Sequence, residues 1–189
     1  MSDARPFGSP GAALPFWLSL GFVPLLVLGA GWGGWWLALA PVYAFGLITL
    51  LDAVTGLNTA NPDPEAPLSR LFWYRLVTLI WFPVQMALIF GTIWWVTHRS
   101  ALEWHEIAIL FYTLGIATGG VGIVYAHELM HQKTALERWL ADLLMASVLY
   151  SHFRSEHLRV HHLWVATPRD PVSARYNEGF WRFFGRVLH

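Results

Sequence analysis

Apolar residues fill four long runs that contain no Asp, Glu, Lys or Arg: 12–31, 32–51, 76–97 and 107–126. Each is close to the roughly 20 residues that a helix needs to cross the hydrocarbon core of a bilayer. The first two runs meet at "GAGWGG", which leaves no room for a soluble loop and predicts a tight helical hairpin. The third and fourth meet at the short polar stretch "HRSALEWHE" and predict a second hairpin. Between the hairpins, "DAVTGLNTANPDPEAPLSR" carries Asn, Pro, Asp and Gly, which cannot continue a helix. A fifth segment, "TALERWLADLLMASVLYSHF", is helical in pattern but contains Glu137, Arg138 and Asp142. Its apolar part, Trp139 to Tyr150, would cover only about 18 Å as a helix, so it is predicted to lie in the membrane interface and not to span. The expected fold is therefore all-α: a polytopic membrane bundle of four transmembrane helices plus one interfacial helix, forming a single membrane domain over residues 1–189.

Composition agrees with this pattern. The chain is 56% hydrophobic and 13% charged, with a mean hydropathy of +0.44, far from the balance of a soluble domain. Twelve tryptophans suit the headgroup boundary as well as a core. A net charge of zero gives no reason to expect a nucleic-acid partner. The start, "MSDARPFGSPGAA", lacks a cleavage pattern, so the first span is expected to be retained. Arg5 and Arg70 lie on one side of the expected bundle and only Arg99 on the other, while basic residues are frequent after the fourth run. The distribution predicts both termini in the cytoplasm, in the cell's inner membrane.

The chain has no cysteine, which leaves histidine and carboxylate as the strong metal ligands. Nine histidines are present, and five fall in two clusters. "HELMH" holds His127 and His131, four residues apart and so on one helix face; "SEHLRVHH" holds His157 and His161 at the same spacing, with His162 turned by about 100° toward a second ion. His98, His105 and His189 are expected to be solvated, and His152 to pack or support the site. Glu128 and Glu156 adjoin ligand candidates and either pair with nearby Arg or orient an imidazole. H-E-x-x-H alone is the pattern of a zinc peptidase, with Glu128 as general base, but that leaves the second cluster unexplained. Two metal ions explain it better. Above the first cluster, Gly115, Gly119, Gly120 and Gly122 either allow close helix packing or leave a slot for an alkyl chain.

Together "HELMH", "EHLRVHH" and "VATPRDPVSAR" resemble the membrane-bound alkane 1-monooxygenases, relatives of the membrane fatty acid desaturases; Asp52 in "LLD" and the Asn61–Pro62 pair extend the likeness. The chain departs from the family pattern at Gln132, which displaces the usual Lys to Lys133, and at Val160, where Gly is usual. The resemblance implies a non-haem di-iron site, two Fe ions at the cytoplasmic face, with His127, His131, His157, His161 and His162 among its ligands. It also implies rubredoxin as electron donor, O2 as oxidant, and an alkane or fatty acyl substrate taken from the lipid bilayer. The family's later histidine elements, "N-Y-x-E-H-Y-G" and "H-S-D-H-H", are not found before His189, so the chain is expected to correspond to the N-terminal half of such an enzyme. Other outcomes open to such a chain are a desaturase or another lipid hydroxylase, an intramembrane zinc protease, and a non-catalytic membrane remnant.

Overall fold

The chain reverses after its first apolar run because Gly33 and Gly34 adopt φ of 62° and 53°, a left-handed backbone that side chains disfavour. The Gly33 N–H bonds to the Gly29 carbonyl at 2.9 Å, and the Gly34 N–H donates to the Glu106 carboxylate at 2.6 Å. The turn is thereby pinned to the start of a later helix. These features come from a computed structural model that describes residues 8–56, 68–98 and 100–188; Arg5, Asn61, Pro62, Arg99 and His189 lie outside them.

Four helices are long and apolar enough to cross a membrane: α1 (Pro10–Trp32), α2 (Gly34–Thr55), α3 (Phe72–His98) and α4 (Trp104–Met130). They match the four predicted runs and extend past them through Asp52, Arg75, Glu106 and Glu128. Charge ends an apolar run, but it does not end the backbone hydrogen bonding that defines a helix. No strand occurs among the described residues, as a bilayer requires of a chain that cannot close a barrel. Val27, Phe90 and Ile109 are exposed, which suits a lipid-facing surface.

Tryptophan hydrogen bonds register the helices. Trp17 donates to the Trp73 carbonyl at 3.1 Å and Trp95 to the Ala30 carbonyl at 2.7 Å, so α1 and α3 run parallel. The Tyr125 hydroxyl bonds to the Phe16 carbonyl and the Ser19 hydroxyl, each at 2.8 Å, bringing the end of α4 to the start of α1. In the interior, Trp81 donates to Gln85 at 2.8 Å with both side chains fully buried, which satisfies two polar groups that lipid would not. Gln85 in turn rests on Gly122, where a Cβ would overlap its amide.

One end of the bundle therefore gathers the starts of α1 and α3, the end of α4, and α5 (Ala135–Ser147). Thr134 begins α5 by accepting from the Glu137 N–H at 3.3 Å. Arg75 of α3 reaches Glu137 with Nε at 2.9 Å and Nη2 at 2.6 Å, and the buried carboxylate is further held by the Thr134 hydroxyl. At about 20 Å, α5 is too short to span, and Leu136, Trp139 and Leu143 lie exposed along it, as expected of an interfacial helix.

Two compact units divide the chain, Met1–Leu144 and Met145–His189. In the second, Leu149 takes a left-handed φ of 61° and the Tyr150 N–H returns to the Met145 carbonyl at 2.8 Å, ending α5. A helix α6 follows, made of Phe153–Glu156, a π-turn His157–His161 and a last turn His162–Trp164. After a loop comes α7 (Phe180–Val187).

Candidate metal centre

In the first unit, His127 occupies the last turn of α4, and His131 caps it in helical conformation. Four-residue spacing stacks the two side chains on one face, with ring centroids 4.8 Å apart at 66°. Leu129 and Met130 are buried and so hold the helix end from its other side. The turn after His131 is fixed by Arg138, which donates to the carbonyls of Gln132 at 3.1 Å and Lys133 at 2.6 Å. Glu128 is exposed, with its carboxylate 3.7 Å from His127 Nδ1, beyond hydrogen-bond reach.

The second unit departs from the simple helical expectation. A π-turn advances more residues per turn than an α-turn, so side chains five apart align. His157 accordingly meets His162 as well as His161: its ring centroid lies 5.2 Å from that of His161 and 4.6 Å from that of His162, with the Nε2 atoms of His157 and His162 2.9 Å apart. At this distance one nitrogen donates a proton to the other; with that proton gone, both are available to a metal ion. Phe153 stacks on His157 at 5.1 Å and 24°, which sets that ring's plane.

The Nδ1 of His161 lies 2.8 Å from Asp170 Oδ2. Asp170 was not among the residues that the sequence pattern singles out. Its carboxylate also accepts from the Ser173 hydroxyl at 2.6 Å and the Val172 N–H at 3.2 Å. Burial opposes its charge, but the bonds from Ser173, His161 and Val172 outweigh it and hold the carboxyl below the usual carboxylate range. The loop is fastened from behind by Arg186 of α7. That guanidinium donates to the carbonyls of Pro171 and Ser173 at 2.7 and 2.9 Å and to both oxygens of Glu178 at 3.0 and 2.8 Å. The Arg186 hydrogen bonds, helped by the Arg175 N–H, lower Glu178 to about 2.

His152 stands before α6, exposed, with its ring against Tyr150 at 4.9 Å and Glu156 3.6 Å away. His98 stacks on Trp94 and His105 packs edge-on to Trp104 at the other end of the bundle. Of the four glycines, Gly122 is pressed against Gln85, whereas Gly115, Gly119 and Gly120 face open space. Gly120 lines an apolar cavity of about 380 Å³ between α1, α2 and α4, whose wall includes Phe22, Phe45, Ile48 and Tyr125. Tyr125 brings this cavity within two residues of His127.

The donors fit a metal. All are imidazole nitrogens; one pair meets edge to face on a single helix face, one pair meets through Nε2, and one ring has its Nδ1 held by a carboxylate, the usual support of a metal-bound histidine.

Residues 102–189 match the family model described as "Fatty acid desaturase". The chain is 36% identical to "Alkane 1-monooxygenase" of Pseudomonas putida over 92% of its own length and 44% of that protein's. It is 35% identical to "Alkane 1-monooxygenase 1" of Alcanivorax borkumensis over 86% of its length and 40% of the relative's, and 36% identical to "Alkane 1-monooxygenase" of Ectopseudomonas oleovorans over 84% and 39%. The chain thus spans less than half the length of these curated relatives.

Proposed function

We propose, for a chain that belongs to the alkane 1-monooxygenase branch of the fatty acid desaturase family, that His127, His131, His157, His161 and His162 are ligands of one non-haem di-iron centre. The function is monooxygenation of the terminal methyl of an alkane with O2 and electrons from rubredoxin. The observation that carries this reading is the convergence of His157 and His162 Nε2 beside an Asp170-backed His161, within the stretch that matches the family. A peptidase zinc site engages two histidines of one helix, one further ligand and a general base. That would leave most of the second set unexplained.

Bound iron would supply O2 activation, which an unactivated methyl C–H bond demands; neutral imidazoles leave the ion's charge uncompensated and so favour an electrophilic oxidant. The remaining tasks fall to the protein. The substrate has no polar handle, so binding rests on burial at about 0.8 kcal/mol per methylene. The cavity beside Gly120 and Tyr125 is apolar, of a size found for ligand sites, and its lining reaches Tyr125, two residues before His127 in the chain. It is the substrate channel of this reading, with Gly115, Gly119 and Gly120 leaving the α4 surface open and Gly122 closing α4 onto α3.

Arg75, Lys133 and Arg138 cluster at the bundle end that carries His127, while Glu103 and Glu106 mark the opposite end. The positive-inside rule then sets the histidines at the cytoplasmic face of the inner membrane, with both termini there, where a soluble electron donor can reach them. The family match also covers desaturases, so product identity is the test. Membranes holding the protein, incubated with octane, O2 and reduced rubredoxin, are expected to yield 1-octanol, abolished by His157→Gln; an alkene product would reassign the chain to the desaturases.

A further inference from the structure

We propose that Asp170 is the positioning residue of His161: it holds the ring with its proton on Nδ1 and presents Nε2 as the metal-binding atom. This rests on the reading of His161 as a ligand. Neither residue that sequence proximity suggests for such a task is placed to perform it, since Glu128 stands 3.7 Å from His127, Glu156 stands 3.6 Å from His152, and both are exposed. Asp170, in contrast, has a fully buried side chain at 2.8 Å from His161 Nδ1.

The surroundings of the carboxylate decide which partner donates. The Ser173 hydroxyl accepts from the Ala166 N–H at 2.8 Å and gives its one proton to Asp170 Oδ2. The Val172 N–H donates to Oδ1. A carboxylate already surrounded by donors is an acceptor only, so the proton between Asp170 and His161 belongs to Nδ1, and the lone pair of the ring is on Nε2. Ala166 reaches its place with a left-handed φ of 63°, and Arg186 ties the carbonyls of Pro171 and Ser173 to α7. The segment 166–186 therefore holds one buried carboxylate against one imidazole. Fixing the tautomer and orientation of a ligand ring in this way typically contributes 10–100-fold to metal affinity.

The test uses the full chain in detergent micelles with Co2+ as the probe. His161→Gln, Asp170→Ala, Asp170→Asn and the double variant His161→Gln/Asp170→Ala are compared by the cobalt absorption titration and by the ring tautomer in 15N-histidine spectra. His161→Gln and Asp170→Ala are each expected to weaken Co2+ binding roughly 10–100-fold, with no further loss in the double variant, and Asp170→Ala is expected to release the His161 ring from its Nδ1–H form. Asp170→Asn, which keeps the shape and removes the charge, is expected to fall between, and carries the test if the alanine variant fails to fold. Loss of affinity in His161→Gln but not in either Asp170 variant, or additive losses in the double variant, would overturn the positioning role while leaving the metal site standing. No loss in His161→Gln would overturn the ligand assignment itself, and the positioning role with it.

Discussion

His157 and His162 face one another through their Nε2 atoms at 2.9 Å, across a π-turn that places residues five apart on one side of the helix. The consequence is a division of labour within three adjacent imidazoles. Two meet through their Nε2 atoms, and the third, His161, has its Nδ1 on a buried carboxylate.

If the convergence is a ligand pair, His157→Gln and His162→Gln should weaken metal binding to similar degrees, and the double variant should lose little more than either single. Titration of the full chain with Co2+ measures this. Independent, additive losses would mean that the two rings serve separate ions.

Gly122 and Gly119 should respond oppositely to a methyl group. Gly122→Ala forces the amide of buried Gln85 to move and disturbs its bond from Trp81; overpacking of this kind costs about 1–3 kcal/mol. Gly119→Ala meets open space and gains helix propensity of about 1 kcal/mol. Thermal unfolding in micelles should show a lower midpoint for the first and an equal or higher one for the second.

The chain contains no cysteine, so single cysteines report topology directly. Lys133→Cys and Arg159→Cys should both react with a membrane-impermeant maleimide from the cytoplasmic side and neither from the periplasmic side. Opposite labelling would separate the two histidine sets by a bilayer.

Glu178 gives a signed pH dependence. Its carboxyl lies at about 2 in the folded chain, well below its ordinary 4.5, chiefly through the Arg186 hydrogen bonds. The stability it adds is complete above pH 4.5 and is lost as pH falls through about 2. Chemical unfolding across this window should show a decline that is shallower in Glu178→Gln.

The spans were legible because lipid demands long runs without charge, a constraint visible residue by residue. The first histidine pair was legible for the same kind of reason: positions 127 and 131 lie on an ordinary α-helix, where four-residue spacing means one face. In the second set the four-residue period brings His157 to His161, whose ring centroids lie 5.2 Å apart. What that period does not show is the π-turn in "HLRVH", which adds the closer contact of His157 with His162; neither glycine nor proline within it signals the change. Asp170 escaped because its contact with His161 crosses a loop, where no periodicity applies. The only local signal was the Asp-Pro-x-Ser sequence, whose side chains bond to their own backbone and to each other in tight turns.

The most direct measurement of a shared centre is the iron content and Mössbauer spectrum of the full chain isolated from 57Fe-grown cells, with and without each histidine set. One di-iron centre built by both sets should give a coupled two-iron signal that is lost on replacing either His127 and His131 or His157 and His162. Metal retained at either set after removal of the other, or zinc in place of iron, would contradict it.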